Sequence, residues 1–450
     1  MALPPLQLKE DVRDHLQTSF INDQTVSELG KHKCEEEFLR LLDQLGSPPL
    51  FTTLRVNIHN SDCEHIIPLL QEEINKQCDK RGICHFDILK HHSLKDVVVI
   101  KNRGPNLNLE QSEKEVIVDL ACGMAVLRGA DVFVQGIMAA HPGMNENTLV
   151  SVFADVEGAC RKGFVKQFTG RKIFIGNGVA KFSRDKIFTV NGMRGVGISM
   201  THPLYEAPCL SDILPELVFP QNLPSAVCVH VLDPQPGELV LDMCAAPGGK
   251  TQHIATLMRN EGRIVALDKV KQKVKRVEAN VQVWGMTCVE CYAFDATEAC
   301  RDGAGGSPPY PAGMFDRVLL DAPCSALGQR PSSFCKMTLP SLRSFETYQW
   351  KFFTQAVRLL KPGGTLVYST CTITMAENEG CVAHALKTFP NLELCPQIPH
   401  VGGPGRLCPG LTADQLAKLQ RFSPAREEGT DPTVDNDTIG FFIAKFKKKS

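Results

Sequence analysis

Leu239-Val240-Leu241-Asp242-Met243-Cys244-Ala245-Ala246-Pro247-Gly248-Gly249-Lys250-Thr251 reads as a buried strand that breaks into a turn and reopens as a helix. The small residues of the turn let a ligand come close to the backbone, and the helix start behind them offers free N–H groups. The pattern is neither G-x-G-x-x-G nor G-x-x-x-x-G-K-[ST], which weakens dinucleotide and triphosphate readings. Outward from this stretch the alternation continues. A helix is expected near 250–258, then strand Arg263-Ile264-Val265-Ala266-Leu267, a helix near 270–283, and a strand from Cys288 to Phe294. Asp316-Arg317-Val318-Leu319-Leu320 and Thr365-Leu366-Val367-Tyr368-Ser369 supply a fourth and a fifth strand, and Ile439 to Phe446 a closing one. Such alternation predicts an α/β fold, a Rossmann-like parallel sheet wrapped by helices.

Parallel strands point their carboxyl ends to one edge, where ligands bind. Asp268 closes the second strand, about 20 residues past the turn, where an acid can accept from ribose hydroxyls. Asp295 follows the third strand and is placed to address an adenine amino group. The fourth and fifth strands run into Asp321-Ala322-Pro323-Cys324-Ser325 and Ser369-Thr370-Cys371-Thr372. With strand order 3-2-1-4-5 and neighbours ~4.8 Å apart, both thiols share the crevice of the glycine turn. One reaction calls for such a pair. Cytosine C5 is too poor a nucleophile to take a methyl group until a thiolate adds to C6, and a second group must then help remove the C5 proton and release the first thiol. Lys250 is a candidate to lower a thiol pKa, and Asp321 to hydrogen-bond the cytosine edge. Taken singly, either cysteine is an ordinary core filler; the matched strand ends favour chemistry.

The rest of the chain adds limits. With 49 Lys and Arg against 50 Asp and Glu, the formal charge is −1, so contact with nucleic acid needs a local patch. An apolar fraction of 43% supports a normal core, and 450 residues fit two or three domains at roughly 100–200 each. The opening MALPPLQLKEDVRDHL lacks the basic and apolar regions of a secretory signal, and the 18 scattered cysteines fit a reduced, cytoplasmic protein. Residues 1–110 form an expected α/β, RRM-like region: Phe38, Leu41, Leu42 and Leu45 make one helix stripe, Phe51 to Asn57 a strand, and Ser61-Asp62-Cys63-Glu64 a capping-box helix start with Pro68 inside it. Residues 111–203 change to short β-rich runs between glycine turns, which suggests a small barrel. Within it, nine basic residues from Arg161 to Arg194 face one acid, Asp185. That local excess points to a phosphate-contacting surface.

The motifs Cys244-Ala245-Ala246-Pro247-Gly248-Gly249-Lys250, Asp321-Ala322-Pro323-Cys324-Ser325, Lys361-Pro362-Gly363-Gly364, Ser369-Thr370-Cys371-Thr372, Glu377-Asn378-Glu379 and Gly440-Phe441-Phe442-Ile443-Ala444 together resemble the Nop/Sun family of RNA cytosine-5 methyltransferases, over residues 204–446. The resemblance implies S-adenosylmethionine as cofactor, Cys371 as nucleophile, Cys324 assisting product release, and Lys250 and Asp321 supporting catalysis. It assigns cofactor contacts to Cys244, Ala245, Ala246, Pro247, Gly248, Gly249, Lys250, Asp268, Asp295 and Asp321, within a catalytic domain spanning 204–450. Val126-Leu127-Arg128-Gly129-Ala130-Asp131-Val132 resembles a PUA domain, an RNA-binding barrel inserted at 111–203. The branch carrying that insertion implies two substrates: the acceptor end of specific tRNAs, with its CCA tail, and CUCCA-type mRNA sites. Arg128, Phe133, Arg161, Lys162, Lys166 and Arg194 are the candidate RNA contacts, with Phe164 and Phe168 as further stacking candidates or barrel core. A monomer without metal or membrane contact is expected.

The chain departs from the family pattern in places. Ala326 stands where glycine is usual, and a left-handed turn there disfavours alanine by ~1 kcal/mol. A Leu-Gln-containing stretch near Tyr348-Gln349-Trp350 reads as shortened, Gln135-Gly136 replaces Pro-Gly, and Asn147-Thr148 replaces Gly-Asp. These departures leave an alternative, a scaffold that binds RNA without turnover. Ser307-Pro308-Pro309-Tyr310 resembles the tetrapeptide of amino-methyltransferases but precedes its strand. Cys288 and Cys291 have zinc-pair spacing without a second pair, and strand alternation sets their thiols on opposite faces. His85, His91 and His92 carry no ligand pattern.

Overall fold

The computed structural model describes residues 3–303, 305–425 and 429–449. Its largest sheet is the expected one. Helix α1 (Leu223–Leu232) precedes β1 (Leu239–Asp242), α2 (Gly249–Leu257), β2 (Arg263–Asp268), α3 (Lys271–Val283), β3 (Val289–Ala293) and β4 (Phe315–Asp321). The long α4 (Leu339–Leu359), β5 (Leu360–Thr370), α5 (Glu379–Thr388) and three closing strands, β6 (Leu392–Leu394), β7 (Gln420–Phe422) and β8 (Phe441–Lys448), complete it. The order is β3-β2-β1-β4-β5-β8-β6, parallel through β5 and antiparallel at β8. Helices on both faces bury the central strands, which is why those strands read as unbroken apolar runs. Trp350 and Gln349 lie inside the uninterrupted α4, so the segment read as shortened carries a full helix.

The N-terminal sheet is antiparallel: Val218–Pro220, Phe51–Val56, Val97–Lys101 and Ile88–Lys90. Its first strand comes from beyond 203, so residues expected to open the catalytic domain pair with the N-terminal sheet instead. The helix after the first long strand spans Cys63–Arg81 and is capped by Asp62, which accepts the His65 N–H at 2.8 Å. The cap is thus one residue later than Ser61. The Phe38 stripe lies on Lys31–Gly46 and is buried as expected, but against Leu327, Leu342 and Ile373 of the catalytic unit.

A six-stranded sheet lies in residues 115–203, ordered Val132–Phe133, Val196–Pro203, Lys172–Ala180, Leu149–Asp155, Glu115–Val118, Ile137–Ala140. Its two edge strands are joined by one tight turn, Val134–Gly136, and are not hydrogen-bonded to each other among the described residues. Asn147 sits there with φ 63°, a left-handed position asparagine tolerates, so it replaces glycine without a bulky clash. No described helix is long and apolar enough to cross a membrane.

Candidate active site

The turn after β1 packs tightly. Gly248 has φ +107°, and a Cβ there would lie 3.0 Å from the Val277 backbone on α3. Asp242 is fully buried; one carboxylate oxygen accepts from Thr251 Oγ1 at 2.7 Å and the other has no partner. Burial raises its pKa to about 6. Cys244 lies where Asp242, Asp321, Asp268 and Asp295 converge; burial first, then those four carboxylates, push its thiol well up. Four acids around one crevice suit a cationic ligand and repel a phosphate, which fits a sulfonium and ammonium carrier in the cradle of Ala245, Ala246, Pro247 and Gly249. Asp268 accepts the Val270 N–H at 2.9 Å. Asp295 takes Thr297 Oγ1 at 2.7 Å and pairs with Lys269 at 2.8 Å. Burial works against the Asp295 charge, but the Lys269 and Thr297 contacts hold its pKa below the usual value.

The two thiols meet. Sγ of Cys324 and Sγ of Cys371 are 3.4 Å apart, each half-buried. The hydrogen bond between them is the leading cause that lowers Cys371 and raises Cys324. Cys371 is therefore the more acidic of the two thiols and Cys324 the less acidic. Lys250, expected to do this work, contributes less to Cys371 than the Cys324 thiol does. Lys250 Nζ instead pairs with Asp321 at 2.7 Å, lies 3.4 Å from Ser225 Oγ, and sits 5.3 Å from the centre of the Phe441 ring. Burial opposes the lysine charge, and the Asp321 carboxylate more than offsets it. The other Asp321 oxygen accepts from Ser369 Oγ at 2.7 Å. Both oxygens expected to face a cytosine are thus engaged within the protein.

Sequence reasoning missed the brace behind the thiols. Glu377 is 1% exposed and accepts from Ser325 N–H (2.9 Å), Ser325 Oγ, Thr374 Oγ1 (2.8 Å) and Gln349 Nε2 (2.9 Å). Ser325 follows Cys324, Thr372 follows Cys371, and their hydroxyls are 2.6 Å apart. Glu377 was visible only as part of a motif; nothing in the spacing assigns it four donors. Ala326 adopts φ 56°, the left-handed turn that its place beside Cys324 implied.

The RNA candidates lie outside this crevice. Arg128 lines a cavity of about 260 Å³ with Asn102, Gln221, Asn222 and Arg330. Phe133 is 46% exposed, whereas Phe168 is 8% exposed and belongs to the core. Arg161 and Lys166 are exposed, and Lys162 and Arg194 share a groove. The basic excess is smaller in space than in sequence: Lys172 pairs with Glu115, Arg171 with Glu157, and Arg184 donates to three backbone carbonyls. Tyr310 is fully buried, so Ser307-Pro308-Pro309-Tyr310 presents no phenol to a substrate. Cys288 and Cys291 pack against one apolar cluster rather than on opposite faces, because Cys288 precedes the strand.

Two histidine groups converge on acids distant in sequence. His91 and His92 bond Asp435 at 3.0 and 2.7 Å, yet Nδ1 of His91 accepts the Ser93 and Leu94 N–H groups, so its Nε2 holds a proton and is no metal donor in this arrangement. His230 and His253 bond the buried Asp96 at 2.7 and 2.8 Å. Nδ1 of His253 is buried without the acceptor that a metal-bound imidazole usually finds.

Residues 229–447 match the family described as 16S rRNA methyltransferase RsmB/F. The tRNA (cytosine(72)-C(5))-methyltransferase NSUN6 of Mus musculus is 46% identical over 467 residues, 99% of this chain and 97% of that protein. NSUN6 of Homo sapiens is 44% identical over 465 residues, 99% of this chain and 98% of that one. The crystal structure of NSun6 from Pyrococcus horikoshii with SFG superposes with a TM-score of 0.77 at 27% identity, covering 99% of each chain. Whole-length identity of this order, together with the thiol pair at the β4 and β5 ends, places the chain in the Nop/Sun family of RNA cytosine-5 methyltransferases.

Proposed function

We propose that the protein methylates carbon 5 of a cytosine at the acceptor end of specific tRNAs, and at CUCCA-type mRNA sites, through a covalent bond between Cys371 and C6. The observation that carries this reading is the 3.4 Å separation of the two sulfurs, with Cys371 the one lowered. S-adenosylmethionine, the donor of this family, supplies the methyl group; Asp268, Asp295 and the turn at 244–249 are the residues to hold it. The Cys371 thiolate adds to C6, and C5 takes the methyl group as the sulfonium–methyl bond breaks, leaving S-adenosylhomocysteine as co-product. The C5 proton then leaves to a base and finally to solvent, the C6–S bond breaks, and the Cys371 thiolate is restored. Cys324 is assigned to this release. Its thiol touches the reacting sulfur, and the hydrogen bond to Cys371, then burial, then the Cys371 and Glu377 charges favour its protonated form. The Lys250–Asp321 pair fixes charge at the crevice edge.

The six-stranded unit is read as a PUA barrel that docks RNA. Support comes from the exposed Phe133, the exposed cations at Arg161 and Lys166, and the groove of Lys162 and Arg194. A monomer in the cytoplasm fits the reduced thiols. The test uses a tRNA acceptor-stem transcript and labelled S-adenosylmethionine. Cys371→Ala is expected to end both methylation and adduct formation, and Cys324→Ala to let a denaturation-resistant protein–RNA adduct accumulate. Equal adduct levels in both variants would reject the assignment.

A further inference from the structure

We propose that Arg55, on the N-terminal sheet, is a positioning residue for the cofactor turn, a role that rests on the S-adenosylmethionine reading given above. Arg55 is 0% exposed in the strand Phe51–Val56. Its Nη2 donates to Gly249 O at 3.1 Å and to Gln252 Oε1 at 2.8 Å, both in the first turn of α2, while Nε donates to Gln221 Oε1 at 2.7 Å. The guanidinium lies 4.4 Å from the Trp284 ring centre. Gln252 passes the contact on: its Nε2 donates to Asn280 O at 2.8 Å, and Asn280 Nδ2 donates to Pro247 O at 2.8 Å. Carbonyls on both sides of Gly248 are thereby tied down, one from the N-terminal sheet and one from α3.

The cost of this arrangement argues for a purpose beyond stability. A wholly buried guanidinium is expensive unless paired, and among the described residues no carboxylate lies within salt-bridge distance of it. One of its nitrogens, Nη1, has no hydrogen-bond partner among the described residues. An apolar side chain of like length would stack on Trp284 without that penalty, but it could not hold Gly249 O. The same sheet grips the next turn of α2 through Asp96 and His253, 2.8 Å apart. The N-terminal sheet therefore sets where the first-turn N–H groups of α2 point, and those are the groups a helix leaves free for a ligand.

The full-length protein tests this by equilibrium binding of S-adenosylhomocysteine, alongside steady-state kinetics and RNA binding without cofactor. Arg55→Met is expected to weaken S-adenosylhomocysteine at least tenfold and to raise KM for S-adenosylmethionine more than it lowers kcat, with RNA affinity within twofold. Arg55→Lys should recover part of the loss. Asn280→Ala, on a half-exposed face, should weaken the same ligand about threefold or more. Wild-type S-adenosylhomocysteine affinity in folded Arg55→Met overturns the inference, as does an equal loss of RNA and cofactor binding. Should Arg55→Met fail to fold, Asn280→Ala decides: unchanged affinity overturns the inference, weakened affinity upholds it. Failure of the wild-type protein to bind S-adenosylhomocysteine would reject the cofactor reading itself.

Discussion

Replacing Glu377 by glutamine tests whether the two thiols are held in register by one buried carboxylate. The side chain accepts four hydrogen bonds and donates none. A glutamine amide must put NH2 where one oxygen stood. At Oε2 it would face the Ser325 N–H, a backbone donor that cannot turn away. At Oε1 it faces the Ser325 and Thr374 hydroxyls, which can rotate, so this orientation is adopted. The remaining cost is that the two bonds at Oε2 change from a charged to a neutral acceptor and the two hydroxyl bonds at Oε1 are reversed, about 1 kcal/mol each and so about 2–4 kcal/mol after partial relief of carboxylate burial. That loss falls on the loop bearing Cys324, which Glu377 grips at Ser325 and, through Gln349, at Pro323. A sulfur displaced by ~1 Å slows a positioned reaction by roughly a hundredfold. Glu377→Gln should therefore lower kcat ten- to a hundredfold, with RNA and S-adenosylhomocysteine affinities within twofold. Adduct on the transcript should accumulate above wild type but below Cys324→Ala, because the step that fails is release. Turnover within twofold of wild type, or loss of adduct formation itself, would refute the bracing role.

Two further outcomes follow from strain and burial. Ala326→Gly relieves the left-handed φ of 56°; after the entropy glycine loses on folding, the gain is about 0–1 kcal/mol, read as a melting temperature that stays level or rises by a few degrees. A clear drop would show that Ala326 is not strained. Asp242 titrates near 6 when folded because of burial, against about 3.9 unfolded, so its ionisation destabilises the ligand-free protein increasingly as pH rises through that window. The stability of Asp242→Asn relative to wild type should move in the variant's favour by about 2 kcal/mol between pH 4 and 7.5, at 1.36 kcal/mol per unit. A difference that is flat across that range in thermal melts would place the charge elsewhere.

The parallel sheet was legible because local pattern and global role coincide there. Leu239 to Leu241 is apolar without alternation since both faces are covered, and Asp268, Asp295, Cys324 and Cys371 sit where strands end, which topology sends to one edge. What stayed hidden depends on distant partners. The stripe of Phe38 and Leu45 says which face is buried but not that Leu342 and Ile373 bury it. Arg55 is one charge in a β-branched strand, and its acceptors lie 166 to 197 residues away. The basic window from Arg161 counted cations without Glu157, just before it, and Glu115, 46 residues earlier on another strand. Asp321 is the sharpest case. Its position at the β4 end was read as a hand free for cytosine, yet Lys250 holds one oxygen and Ser369 the other. Each of its oxygens keeps a second lone pair, so a further donor can be accepted there with both partners in place. Ser369, a neutral hydroxyl, is the cheaper partner to exchange, because giving up Lys250 would strand a buried ammonium.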